Sequence, residues 1–368
     1  MKSSRIPAYA CIAVVILLWF LFPAYSHAEE DIEKRERRFI PFPVFFITPE
    51  TGFGLGASLL YYISPFSDAV VQQPDLLSAV AFYTQNNQWL TALGMEKYFR
   101  QSGNKLNVAG VVQKFPDKFW GIGPDTPDEF EENYTPFEVS FGIGYQWYLS
   151  RGFFLGPVYS FAYIDMKEVE EDGLLDTGFI TGSEGTRASG VGLRFTADRR
   201  DSPFFPRRGF LLDSTVMIYS ALIGSEEDFS QFLFDYRHFF PLFERHVLGL
   251  QYVLQLSTGD VPFQYLPEMG GRFMMRGYYE GRYRDMNYTA LQGEYRLPLF
   301  WRLGAVVFGS VGQVAPNVNS LVSLEHLRVT GGFGIRFLIE PQRRINFRID
   351  IAYNGKELVP YFNVLEAF

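Results

Sequence analysis

Apolar and polar residues alternate with a period of two along most of the chain. In the stretch 345–353, Ile345, Phe347, Ile349, Ile351 and Tyr353 share one face, and Asn346, Arg348, Asp350 and Ala352 share the other. Val139, Phe141, Ile143, Tyr145, Trp147 and Leu149 alternate with Ser140, Gly142, Gly144, Gln146 and Tyr148. Leu248, Leu250, Tyr252, Leu254 and Leu256 alternate with Gly249, Gln251, Val253 and Gln255, and Phe232, Phe234, Tyr236 and Phe240 alternate with Gln231, Asp235 and Arg237. Period two places successive side chains on opposite faces of a strand. Cutting the chain at its turn signals gives strands near 41–47, 53–63, 76–85, 88–99, 104–114, 134–149, 152–165, 186–198, 209–221, 229–240, 246–258, 287–298, 301–312, 327–339, 344–354 and 359–368. That is sixteen, an even number, as a single-chain barrel requires.

Such strands fit a soluble sandwich, which buries its apolar face against a second sheet, or a membrane barrel, which turns that face to lipid. Three features favour the barrel. The strands are about ten residues or longer, enough to cross a bilayer at a tilt. Their apolar face is rich in Phe and Tyr. Their polar face carries Asp235, Arg237, Glu294, Arg296, Arg348 and Asp350, charges that a dry sandwich core tolerates only when paired. Closure also leaves no sheet edge with unmet hydrogen bonds in lipid. The expected fold is all-β, a transmembrane antiparallel β-barrel of about sixteen strands.

Composition agrees. Among 368 residues there are 38 Phe, 22 Tyr and 34 Gly, with 47% hydrophobic residues overall. Mean hydropathy is −0.02, so the aromatics are interleaved with polar residues, unlike the apolar runs of about 18 that transmembrane helices need. The apolar fraction excludes a disordered chain. A disulfide framework is excluded because Cys11 is the sole cysteine. At the start, Lys2 and Arg5 precede an apolar stretch near 11–23, and Ser26 and Ala28 stand like the small residues of a signal-peptidase site. Residues 1–28 therefore read as a secretory signal, 29–40 as a short periplasmic tail and 41–368 as the barrel. Without the signal, 31 basic and 41 acidic residues remain, a balance that argues against nucleic acid as a partner.

The connections alternate in length. Residues 150–152, 242–245, 299–302 and 340–344 form short turns, whereas 115–133, 166–185, 259–286 and 313–326 are long. Short periplasmic turns and longer outer loops produce this asymmetry. It places both chain ends on the periplasmic side.

Three segments go beyond a generic barrel. The periplasmic turn Asp198-Arg-Arg-Asp-Ser-Pro-Phe-Phe-Pro-Arg-Arg-Gly209 carries Asp198, Arg200, Asp201, Pro206 and Gly209. The long connection after the eleventh strand contains Met269-Gly-Gly-Arg-Phe-Met-Met-Arg-Gly-Tyr278, and the strand after it opens with Leu291-Gln-Gly-Glu-Tyr-Arg-Leu-Pro298. Together they resemble the barrel of the BamA/TamA superfamily, the bacterial surface antigen family, which includes two-partner secretion transporters. The resemblance runs in order from about residue 190 to the C-terminus.

The resemblance implies that the sixth extracellular loop folds into the lumen, with Arg276, Gly277 and Tyr278 at its tip and Gly270 and Gly271 before it. It also implies an acidic wall for Arg276, with Glu294 as one partner. Physical chemistry asks for the same thing, since a buried unpaired guanidinium is very costly. The family often has an Asp on the following strand, where this chain reads Phe308-Gly-Ser310. Asp350 is the expected substitute. Family insertases carry periplasmic POTRA modules of about 75 residues, and the tail before the first strand has no room for one. Phe368 matches the terminal aromatic by which outer-membrane barrels are recognised for insertion.

The implied localisation is the outer membrane of a Gram-negative bacterium. The implied role is assistance to membrane protein assembly or translocation, with a loop-gated or passive pore and a structural surface barrel as alternatives. Outer-membrane lipid and the barrel assembly machinery are the expected partners, together with an unidentified periplasmic partner or client. No enzyme activity, cofactor or metal is expected, because His238, His246 and His326 have no second ligand in metal spacing.

Overall fold

The computed structural model describes residues 37–368 apart from residues 72, 244, 324 and 341–343. The expected signal sequence and most of the expected charged tail lie outside the described residues. Sixteen antiparallel strands close into one barrel. In chain order they are β1 Arg37–Thr48, β2 Gly52–Ile63, β3 Asp75–Thr84, β4 Trp89–Tyr98, β5 Lys105–Lys114, β6 Glu132–Ser150, β7 Phe153–Val169 and β8 Gly185–Asp198. Then follow β9 Gly209–Tyr219, β10 Phe229–Leu242, β11 His246–Gly259, β12 Asn287–Pro298, β13 Leu303–Ala315, β14 Arg328–Glu340, β15 Ile345–Tyr353 and β16 Leu358–Val364. Each strand pairs with its neighbours in sequence, and β1 meets β16.

The alternation read from the sequence sorts the two faces. On β15, Asn346, Arg348, Asp350 and Ala352 are buried, while their odd-numbered neighbours look outward. Large apolar side chains remain exposed on the outer faces, among them Phe141, Ile143 and Trp147 of β6, Val191 and Leu193 of β8, and Phe333 and Ile335 of β14. An apolar band of this extent is a lipid-facing surface, not a water-facing one.

Two ends differ from the expected pattern. The first strand begins at Arg37, not at residue 41, so Arg37–Ile40 belong to the barrel and not to a tail. Their ladder to Leu60–Ile63 of β2 accounts for the difference, because backbone pairing holds charged residues that periodicity alone assigns to solvent. The last strand stops at Val364. Leu365 takes a left-handed φ of +73° and donates its N–H to the Asn346 carbonyl at 2.8 Å. The chain then turns inward. Ala367 and Phe368 are buried against Phe239 and Val247, and the rings of Phe368 and Phe239 stack at 6.0 Å.

Candidate functional site

The site is built on the inner faces of β12, β14 and β15, where period two places Glu294, Arg296, Arg336, Arg348 and Asp350. All five are buried. The connection between β11 and β12 delivers Arg276, which has no exposed surface. Its Nη1 donates to Asp350 Oδ2 at 2.6 Å and its Nη2 to Glu294 Oε2 at 3.0 Å. The guanidinium lies 3.5 Å from the centroid of the Phe308 ring, a cation–π contact strengthened by the lack of water. One planar cation thus bridges carboxylates on two strands that are not neighbours, which a guanidinium fork can do and a point-charge ammonium does less well.

Both carboxylates are shared. Glu294 also accepts from Arg296 Nε at 2.8 Å, and Asp350 from Arg336 Nη1 at 2.6 Å. Arg336 reaches Glu366 through Nε at 2.7 Å. Arg348 approaches Asp350 at 3.5 Å and donates to the Arg272 carbonyl at 3.1 Å. Four arginines and three carboxylates form one buried network. Sharing offsets the desolvation that isolated buried ions would suffer.

The backbone around Arg276 is shaped by glycine. Gly277 sits at φ +116°, donates its N–H to Tyr361 Oη at 2.9 Å and accepts from Asn354 Nδ2 at 2.8 Å. At Gly270, with φ +117°, a Cβ would stand 2.0 Å from the Tyr279 carbonyl oxygen, so only glycine fits there. Gly271 donates to the Tyr278 carbonyl at 3.0 Å, which closes the tip, and Tyr278 Oη donates to the Asn354 carbonyl at 3.2 Å.

The rest of the connection reaches the β1–β2 turn and the connection between β5 and β6. Tyr279 Oη donates to Asp117 Oδ1 at 2.8 Å, and the Glu280 N–H donates to Glu50 Oε1 at 3.0 Å. Arg282 donates to Thr126 Oγ1 at 2.9 Å and to Asp128 Oδ1 at 2.5 Å. Glu268 and Arg284 pair across a two-residue ladder, with 3.0 Å between their charged groups.

Several of these carboxyl groups crowd together. Burial, then the charge of Glu268, pushes the Asp117 carboxyl up to about 6. Enclosure by the surrounding protein, then Glu268 and Glu50, pushes Glu280 up to about 8. Both hold their protons more tightly folded than unfolded, where such groups titrate near about 4. Their contribution to stability therefore falls as pH rises from about 4 to about 8 and is flat above. Hydrogen exchange at amides 268–284, corrected for intrinsic chemistry, is expected to be slower at pH 6 than at pH 8.5. Equal or stronger protection at pH 8.5 would sink this reading.

The turn between β8 and β9 is tied to the same network. Arg200 Nη2 donates to Asp198 Oδ2 at 2.7 Å. Asp201 accepts the Arg207 N–H at 2.8 Å and Arg344 Nη1 at 3.0 Å. Gly209, at φ +96°, lets the turn pass against the Arg199 carbonyl. The Pro206 carbonyl accepts from Arg296 Nη1 at 3.2 Å, and a Phe368 oxygen accepts from Arg296 Nη2 at 2.9 Å.

Some of these partners were not assigned from the sequence. Ser310 is buried with an unpartnered hydroxyl, and the second carboxylate comes from Asp350 on β15. Arg336 and Glu366 had no assigned role. Glu366 lies beyond the end of the last strand at Val364, where it accepts from Arg336 and from Asn346 Nδ2 at 2.7 Å each. The histidines pair locally: His238 with Tyr236 at 2.7 Å, His246 with Tyr295 at 2.8 Å and His326 with Asp125 at 2.7 Å. Among the described residues no group of three or more His, Cys, Asp or Glu is placed to hold a metal.

A closed sixteen-strand barrel, apolar outside and charged inside, defines a class: the β-barrels that span bacterial outer membranes. The sequence model of the Omp85 superfamily domain matches residues 75–357, and the chain belongs to that superfamily. Omp85 barrels serve membrane assembly and translocation. The fold is similar to BamA from Haemophilus ducreyi lacking POTRA domains 1–3, with a TM-score of 0.63 and 12% identity over 90% of this chain and 70% of that one. It is also similar to CdiB from Acinetobacter baumannii, with a TM-score of 0.55 and 12% identity over 89% of this chain and 59% of that one. A search of curated sequences returns no match.

Proposed function

We propose that this protein assists the assembly or translocation of proteins at the outer membrane by opening a seam between β1 and β16. The connection 260–286 serves as an anchor inside the lumen and keeps the rest of the wall in register. The observation that carries this reading is the seam itself. β1 and β16 are in register at one pair, Ile47↔Phe362, whereas the neighbouring pair β15–β16 is in register over Phe347–Tyr353 and β1–β2 over the whole of β1.

The cause is local. Pro41 and Pro43 lack the N–H that a ladder needs, and β16 turns away after Val364. The free edge of β1 below Ile47 is therefore a template for an incoming strand. A cavity of about 540 Å³ lies behind it, lined by Phe45, Phe46, Glu50, Phe273, Glu280 and Val364 among others.

Depletion of the protein followed by quantitative outer-membrane proteomics tests the role. A fall in other barrels, or in one dedicated client, supports it. An unchanged membrane, together with a steady conductance in planar bilayers that changes on deleting residues 265–285, would replace it with a loop-constricted pore.

A further inference from the structure

The barrel is electrically polarised along its axis. Connections assigned to the outer side hold many carboxylates, including Asp117, Asp125, Asp128, Glu268 and Glu280, whereas the turns assigned to the periplasmic side are rich in arginine. At the periplasmic mouth a cavity of about 300 Å³ is bordered by Arg207, Arg245, Arg302 and Arg344, with Phe205 and Trp301 beside them. Arg296 and Arg336 of the buried network form part of its inner wall.

Among the described residues these arginines have few carboxylate partners. Asp201 holds Arg344 at 3.0 Å. Among the described residues, no carboxylate lies within ion-pair distance of Arg207, Arg245 or Arg302. Burial, followed by the charges of Arg344 and Arg245, holds the Arg207 guanidinium below its ordinary value, so these cations face one another. A cavity whose cations repel each other is stabilised by an anion, and guanidinium forks match phosphate oxygens two at a time.

The neighbouring turns indicate where that anion comes from. Phe243 is 85% exposed, Phe300 69% and Trp301 80%, although each sits at the tip of a short turn where polar residues would serve. The Trp301 ring packs edge-on at 5.8 Å against Phe337, on the outer face of β14. Aromatic rings at the ends of a barrel wall sit at headgroup depth. The arginines of the mouth are on the same turns and share that depth, and basic pockets at this level take lipid headgroups.

We propose that the mouth formed by Arg207, Arg245, Arg302 and Arg344 binds the phosphate of an anionic phospholipid from the periplasmic leaflet. The phosphate sits between the forks, its acyl chains pass over Phe300 and Trp301 to the outer wall, and the lipid neutralises the rim of the buried network. This site rests on the periplasmic placement of the short turns and needs no transported client, so its failure would leave the seam reading untouched.

Native mass spectrometry of the full-length protein in detergent micelles tests it, with phosphatidylglycerol and phosphatidylcholine as probes. The wild type is expected to retain one phosphatidylglycerol in preference to phosphatidylcholine. The variant R207Q/R245Q/R302Q is expected to bind it about tenfold more weakly or worse, since each arginine near a headgroup contributes several-fold. The charge-matched control R151Q/R199Q/R208Q, on the same side but outside the cavity, is expected to bind like wild type. Heat-modifiable migration on gels shows that each variant is folded; if the triple variant is not, Arg245→Gln alone is measured with the same expectation of weaker binding. Equal lipid binding by the mouth variant overturns the proposal. So does displacement of the lipid by an equal concentration of inorganic phosphate, which would mark a general anion site. Preferential binding of hexaglutamate would mark an acidic peptide as the occupant and overturn it as well.

Discussion

Replacing Arg276 with alanine is expected to cost about 3–5 kcal/mol, because it leaves Glu294 and Asp350 buried with one partner fewer. Arg296 and Arg336 still touch these carboxylates, which argues for the lower end of that range. Arg276→Lys keeps the charge but not the fork. It is expected to lose less, since an ammonium can hold one of the two carboxylates and leaves the other half-satisfied. Adding Glu294→Gln to Arg276→Ala is expected to recover none of the loss, because Glu294 still pairs with Arg296 at 2.8 Å and the second change leaves that buried guanidinium without its carboxylate. Urea unfolding of the reconstituted protein measures the cost, and limited proteolysis within residues 265–285 reports whether the connection has left the wall. A stability of Arg276→Ala within about 0.5 kcal/mol of wild type, a value ordinary for surface changes, would remove the bridge from any structural role.

Joining β1 to β16 is expected to abolish function while leaving the barrel folded. Ile47 and Phe362 are directly opposite each other, and Cβ atoms at such positions stand about 4.5–5.5 Å apart, close to the reach of a disulfide. Cys11 is the sole cysteine of the sequence, so Ile47→Cys with Phe362→Cys gives a defined crosslink. The oxidised protein is expected to fail to restore the outer-membrane proteins lost on depletion, and reductant is expected to restore its activity. The companion pair Ile40→Cys with Leu60→Cys lies opposite across β1 and β2 and is expected to remain active when oxidised. Full activity of the crosslinked seam would remove lateral opening from the mechanism.

These two experiments concern different parts of one mechanical arrangement. Arg276 holds the connection to β12 and β15, and Gly277 holds it to β16 through Tyr361. The wall on that side is thereby braced up to the strand beside the seam, while β1 pairs with that strand at one point. Glu366 and Phe368 extend the bracing downward, through Arg336 and Arg296. On the proposed reading, opening the seam separates β1 from a β16 that is held on its inner side, and the contact of the Glu280 N–H with Glu50, in the turn after β1, bears on the other side of the seam.

Much of this was legible in the residues. The strand count, the faces of β11, β12 and β15, and the long connection bearing Arg276 follow from alternation, turn residues and loop length. All three are local properties, set by neighbours a few positions apart. A polar residue at every second position faces the lumen wherever the strand sits in the barrel, so Glu294 and Asp350 were recognisable as inward charges before their partners were known.

What the tertiary structure decided is where distant strands meet. Arg276 lies 74 positions from Asp350, and only the curvature of the closed wall brings β15 to the loop tip while Ser310, on the nearer β13, is left without a charged partner. Arg336 and Glu366 acquire meaning once the chain turns inward at Leu365, a backbone reversal with no composition signal. The start of β1 at Arg37 likewise depends on its ladder to β2 and not on its own charged residues. The sequence by itself determined the class of fold and which side chains face inward, because period two acts residue by residue. The choice of partners, the one-pair seam and the arginine-lined mouth belong to register and closure, which exist only when all sixteen strands are in place.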